Sequence, residues 1–270
     1  MVRRGSVEGR MTSGNSGLSP VIPTIDVAGG RTTEPSGISG LDDPSDPVEV
    51  AARYREQGAE GIFLDILDPW EDAATFLPIV RRAAELGAPL WVTVHNGVAR
   101  SVDDLALLLD LGAAAVGIST TSVERPSVLH DTSRRFGAGR VVGVMNVRRA
   151  GDRWNVVVEG GETETPLDAC TWAAMLADLG AGCILPNSLD QEGTGRGYDL
   201  DLVRAMTGAV SVPVVASGGC GTLDHLVEGL AAGATYVLTN KMLHNGSHSV
   251  AEATRHLREA LAGVDDRDVL

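Results

Sequence analysis

The sequence predicts an α/β fold: a single eight-stranded parallel (β/α)8 TIM barrel built from two (β/α)4 half-barrels. Three observations predict it. Short β-rich runs alternate with longer amphipathic runs along the chain, the pattern of successive βα units in a parallel sheet. The interior has to be aliphatic, since apolar residues make up 43% of the 270 residues and aromatic ones only 4%. A parallel sheet covered by helices is filled in just this way, by Val, Ile, Leu and Ala. The third observation is internal similarity. SVDDLALLLDLGAAAVGIST, from Ser101, aligns with TLDHLVEGLAAGATYVLTN, from Thr222, so that Gly112 meets Gly233 at a spacing of 121. VIPTIDV, ending at Val27, aligns with VVGVMNV, ending at Val147, at a spacing of 120. A duplicated half-barrel offers two equivalent loop sets at one rim, hence two similar anchoring sites.

In chain order, the strands are predicted over residues 21–26, 61–66, 90–95, 115–119, 140–146, 182–187, 212–217 and 235–239, each apolar and β-branched and each followed by a turn signal. Helices are predicted over 47–57, 73–86, 102–111 and 169–179, where apolar residues recur at helical spacing. Residues 1–19 lack the apolar stretch of a secretory signal and are expected to form a flexible leader. The barrel is expected over 20–262, and a tail over 263–270.

The formal net charge of -14 argues against nucleic acid and anionic membrane as partners, because both need a positive footprint. Phosphate is still compatible with such a chain if backbone N–H groups bind it. No apolar run approaches the ~20 residues that span a bilayer. Cys170, Cys183 and Cys220 have neither disulfide nor metal spacing; reduced thiols in a cytoplasmic protein are the expectation.

Barrel chemistry sits where strands end and βα loops begin. The first predicted strand ends at Asp26 and the fifth at Asn146, the same place in each half. A carboxylate there can act as acid or base, whereas an amide can only orient or donate hydrogen bonds. The third ends in His95-Asn96-Gly97 and the seventh in Ser217-Gly218-Gly219-Cys220-Gly221. Glycines in such turns let amides approach an anion, and the second set also opens a helix. The fourth ends in Ser119-Thr120-Thr121 and the eighth in Thr239-Asn240-Lys241, groups suited to a further phosphate contact. After the sixth, which ends at Asn187, comes a polar loop with Asp190, Glu192, Gly193 and Thr194; Gly193 and Thr194 supply donors. The spacing of Asp190 and Glu192 does not make a metal site, and no cofactor is expected.

Residues 154–159, with a turn at Gly160-Gly161, read as a small hairpin over the rim and part of a lid. His130, His225, His244, His248 and His256 fall on helix or loop segments and are expected to be structural.

VIPTIDVAGGR, DPVEVAARYREQGAEGIFLDI, SVDDLALLLDLGAAAV, TSVERPSVL, LDQEGTGRGYDLDLVRAM and VPVVASGGCGTLDHL together resemble the cyclase subunit of imidazole glycerol phosphate synthase. The likeness runs from about Val21 to Leu261 and extends more weakly to the sister isomerase of histidine biosynthesis. It implies ring closure and cleavage of a nucleotide with two phosphates, using ammonia from a glutaminase partner and two carboxylates at the ends of the first and fifth strands. It further implies that Asp26 is the first acid, that Gly97 and Thr120 hold one phosphate, and that Gly193, Gly219 and the turn after the eighth strand hold the other. Ser217 matches a rim hydroxyl and Asp65 the aspartate of FLDI.

The departures fall on functional positions. Asn146 stands where the second acid is expected, and an amide does not exchange a proton near neutral pH. Glu34 replaces a lysine of the first loop and is followed by Pro35; His95-Asn96 replaces the start of a glycine run; Ser119 replaces an asparagine and Lys241 a small residue. At the opposite rim, Glu60 fits the charged ring that gates ammonia, but Pro20, Ala115 and Cys183 fill its other positions, and Ala114 replaces the aspartate that touches the glutaminase.

Three readings follow. One is a diverged cyclase or lyase acting on a phosphorylated ribosyl or similar substrate without glutaminase-fed ammonia. In it Asp26 is the main acid/base, Asn146, Asn187 and His95 orient substrate, and His95 is a second proton-transfer candidate. The others are the histidine-pathway cyclase itself and a non-catalytic nucleotide-binding module.

Overall fold

The structure is a computed structural model and describes residues 19–265; the expected leader, apart from the buried Ser19, and residues 266–270 lie outside the described residues. The elements are β1 (Val21–Ala28), β2 (Arg31–Thr32), α1 (Pro47–Glu56), β3 (Ile62–Ile66), α2 (Ala73–Ala84), β4 (Leu90–Val94), α3 (Val102–Asp110), β5 (Ala115–Ile118), α4 (Thr120–Glu124), α5 (Pro126–Phe136), β6 (Val141–Ala150), β7 (Arg153–Val158), β8 (Thr163–Asp168), α6 (Ala169–Asp178), β9 (Cys183–Ser188), α7 (Leu200–Ala209), β10 (Val215–Ala216), α8 (Leu223–Ala231), β11 (Tyr236–Thr239), α9 (Lys241–His244) and α10 (Val250–Asp265). α10 continues through the first three residues of the segment expected to be a tail.

The fold is α/β, with a curled and mostly parallel sheet. β10, β11, β1, β3, β4, β5 and β6 pair in that order, all in parallel, and β9 pairs in parallel with β6. Between β9 and β10 two isolated parallel bridges form, Ile184 to Val214 and Asn187 to Ser217. β10 is shorter than the sequence predicts. Pro213 has no amide to donate to a ladder, and only its carbonyl serves, accepting from Ile184 N at 2.9 Å.

Apolar side chains fill both faces of the sheet. Inside lie Ile22, Phe63, Trp91, Ala115, Val142, Cys183, Leu185, Val215 and Tyr236. Between sheet and helices lies a larger cluster that includes Ile25, Ile66, Tyr54, Phe76, Leu108, Leu129, Trp172 and Leu176. Burying each large aliphatic side chain stabilises the fold by about 1.5–3 kcal/mol. The helices start where the sequence offers side-chain acceptors. Asp46, ahead of Pro47, accepts from Val48 N; Asp168 accepts from Thr171 N and Asp199 from Leu202 N, all within 3.0 Å. Such caps contribute about 1 kcal/mol each.

The hairpin expected near 154–159 is present, with one arm more. β6 does not stop at Asn146 but runs on to Ala150, pairing antiparallel with β7, which pairs with β8. The extension is anchored from below: Arg149 N donates to Asp190 at 2.7 Å, and the Arg149 guanidinium lies 5.0 Å from the Trp154 ring centre.

Candidate active site

Parallel register sets six side chains side by side at one end of the sheet. Asp26 on β1 is level with Asp65 on β3, which is level with Thr93 on β4. Asn146 on β6 is level with Asn187 on β9, which bridges to Ser217. All six line a single cavity of about 450 Å³. One arc is therefore carboxylate, carboxylate, hydroxyl; the arc facing it is amide, amide, hydroxyl.

Asp26 titrates far from the ordinary carboxylate range, with its pKa pushed up to about 7. Burial is the main cause. Repulsion from Asp65, Glu192 and Glu34 adds to it, and the hydrogen bond from Asn240 Nδ2 at 2.6 Å opposes it. Asp65 is raised as well, chiefly by burial, against the bond it accepts from the Thr93 hydroxyl. An acid poised near neutrality inside a cleft suits proton transfer.

The amide arc is ordered by hydrogen bonds that leave one orientation. Glu192 ordinarily only accepts, so Asn187 must turn its Nδ2 toward Glu192 Oε2, at 3.2 Å. Ser217 Oγ donates to Asn187 Oδ1 at 2.9 Å, and Asn187 Nδ2 also donates to Asn146 Oδ1 at 3.0 Å. With its carbonyl so engaged, Asn146 has its NH2 group left for a ligand.

Of the residues singled out in the sequence, Asp26, Asn146, Asn187, Gly97, Ser119, Glu192, Gly193, Thr194, Ser217, Gly218, Gly219, Asn240 and Lys241 line this cavity. Two expectations need correction. His95 does not line it; its backbone has a φ of 50° and turns the following Asn96 and Gly97 to the cavity instead. Thr120 does not line it either; its hydroxyl accepts from Glu159 N, on the turn between β7 and β8, at 3.0 Å. None of the five histidines expected to be structural lines the cavity; His225 Nδ1, for example, accepts from Gly221 N at 3.1 Å. The sequence reading passed over Thr93 and Thr24, which also line it, as does Cys220 of the seventh-strand turn. Alternation held a signal for Thr93, since it follows Asp26 and Asp65 in register.

Gly218 and Gly219 form the turn that leads from β10 to α8. Gly219 has a φ of 97°, and a Cβ there would lie 2.2 Å from Gly197 O, so the position admits only glycine. The same turn carries backbone amides into the cavity wall beside Lys241.

A profile of the family described as "Histidine biosynthesis protein" matches residues 20–249. The chain belongs to this family. Membership covers nearly all the described residues and makes the protein an enzyme of the histidine-biosynthesis type, with its acids where the curled sheet opens. Among the described residues no helix is long and apolar enough to cross a membrane, and no cluster of His, Cys, Asp and Glu could hold a metal ion.

Proposed function

We propose that this family member is a diverged relative of the cyclase subunit of imidazole glycerol phosphate synthase. It carries out a lyase- or cyclase-type step on a phosphorylated ribosyl or related sugar phosphate, without ammonia from a glutaminase. The observation that carries this reading is the pairing of a near-neutral Asp26 with an amide, Asn146, whose NH2 group faces the cavity. Asp26 takes a proton from the substrate and returns one. Asn146 holds an oxygen on which negative charge develops, as preorganised donors do. Gly193, Gly218, Gly219 and Lys241 grip the phosphate.

The reading includes a complete eight-stranded β/α barrel of two half-barrels, supported by the two bridges between β9 and β10. The absence of an ammonia route is supported by the chemistry of the far end. There a cavity of about 230 Å³ is lined by Trp91, Ala114, Ala115, Val142, Cys183 and Tyr236, without a charged side chain among them. The place of action proposed is the cytoplasm, with neither nucleic acid nor membrane as partner.

Two measurements test the reading. The gene is expected not to rescue a histidine auxotroph lacking the cyclase subunit; rescue would establish the ordinary pathway enzyme instead. In heavy water, the purified protein should exchange a carbon-bound proton of a keto-sugar phosphate such as ribulose 5-phosphate, and Asp26→Asn should abolish that exchange. Ligand binding with no exchange or turnover on any sugar phosphate or aminoimidazole nucleotide would point to a binding module.

A further inference from the structure

The two rims descend from one repeated unit, and their backbones still agree. Ser119 and Asn240, 121 positions apart, share an unusual conformation, with φ/ψ of -119°/-98° and -114°/-82°. Ser101 and Thr222, also 121 apart, both precede a helix in extended conformation. Equivalent positions can therefore be compared one by one.

After Gly97 the first-half turn continues Val98-Ala99-Arg100; after Gly218 the second-half turn continues Gly219-Cys220-Gly221. In the first half all three amides are taken within the chain. Val98 N donates to Val94 O, Ala99 N to Thr121 Oγ1 at 2.9 Å and Arg100 N to Asp104 Oδ2 at 2.9 Å. In the second half Gly221 N donates to His225, and the Gly218 amide, like that of its equivalent Gly97, meets no acceptor among the described residues; the halves differ at Gly219 and Cys220, whose amides meet none where Val98 and Ala99 each find one. Amides at a cavity wall that the chain itself does not satisfy need an outside acceptor.

Charge and access differ in the same direction. Lys241 is the one cation among the described residues lining the cavity, and its first-half equivalent is Thr120. That threonine's hydroxyl oxygen accepts from Glu159 N, and the residue does not line the cavity. The same turn lies against Asn96 so closely that a Cβ on Gly160 would come within 2.8 Å of Asn96 Nδ2. Arg100 and Arg125, the first-half guanidinium groups near this turn, are engaged elsewhere: Arg100 with Asp104, and Arg125 with the carbonyls of Ala99 and Arg100. Two carboxyl groups, Asp26 and Asp65, line the first half of the cavity; one, Glu192, lines the second, where Lys241 opposes it.

We propose that only the second half binds phosphate, so that the ligand is a monophosphate whose other end brings hydrogen-bond donors, not a second anion, to Asp26 and Asp65. This rests on the phosphate-gripping site proposed above and narrows its substrate class.

Inorganic phosphate titrated calorimetrically into the full chain tests it. One equivalent should bind. Lys241→Gln should weaken binding about tenfold or more, the loss expected for one charge-assisted contact. Thr120→Val should leave it within about twofold, less than any one such contact is worth. Two equivalents, or a Thr120→Val loss as large as that of Lys241→Gln, would overturn the proposal and leave the phosphate-binding reading standing. No phosphate binding at all would overturn both. As a second measurement, ribulose 1,5-bisphosphate should bind no tighter than ribulose 5-phosphate, with only one of its two phosphorus resonances shifted. Tighter binding with both resonances shifted would assign the first half a phosphate as well.

Discussion

The acid arc of β1, β3 and β4 and the amide arc of β6, β9 and β10 occupy equivalent places in the two halves, yet they ask different things of a ligand. Asp26, Asp65 and Thr93 set two buried carboxyl groups side by side, and burial, joined by repulsion from neighbouring carboxylates, raises both their pKa values. Asn146, Asn187 and Ser217 carry no charge and settle into one chain of hydrogen bonds. In the function proposed above, the first arc moves protons and the second holds a ligand still. Matching strand positions carry different chemistry in the two arcs with no change of register. This works because a strand position fixes where a side chain points, whatever its chemistry.

The largest expected effect lies on the acid arc. Asp26→Asn should lower turnover of the substrate by about 10²–10⁴-fold, the range for a lost general acid/base. The same change should stabilise the protein at alkaline pH. Asp26 has a folded-state pKa raised from 3.8 to about 7, so proton binding favours the folded state. Stability should be greatest below pH 4, fall as the pH rises toward 7, and level off above it. The span for this one group is about 4 kcal/mol. Thermal melts of wild type and Asp26→Asn at pH 5 and pH 8 check the sign; an equal pH dependence in both would remove Asp26 as its source.

Next in size is the conversion of the amide arc toward the acid arc. Asn146→Asp replaces the donor at the developing charge with an acceptor and should cost about 10²-fold in turnover. If turnover instead rises with free ammonia, the arc is a damaged acid pair rather than a holding group. Breaking the orientation alone should do less. Asn187→Ala frees the Asn146 carboxamide to flip, and a loss of about tenfold is expected, the worth of one oriented hydrogen bond. Side-chain amide resonances of Asn146 should then show two environments. The smallest effect belongs to the extension over the rim. Arg149→Ala removes the contact with Trp154 and weak ion pairs of 3.7 Å to Asp199 and 3.6 Å to Asp201. About 1 kcal/mol should be lost, or 2–4 °C in a melting scan, with little change in turnover.

Much of the site could be read in the sequence, and the misses share a cause. Asp26, Asn146 and Asn187 sit at strand ends that apolar alternation marks, so their meeting follows once the strands are parallel and in register. His95 sits at a strand end too, but its left-handed backbone sends the chain past the cavity, and nothing beside it in sequence requires that conformation. Thr120 holds the position implied by its family, yet a turn 39 residues away takes its hydroxyl. β6 overran its predicted end because β7, formed later in the chain, supplies the partner that an extended strand needs.

By itself the sequence determined the alternation of strands and helices, the repeat of one half in the other, and which acid survives at the strand ends, because each of these is a matter of spacing between near neighbours. The tertiary structure decided which of the two duplicated turns keeps its amides open. Val98 and Ala99 find acceptors within the chain, and their equivalents Gly219 and Cys220 find none among the described residues. Whether a donor is free depends on what packs beside it, and those neighbours come from distant parts of the chain.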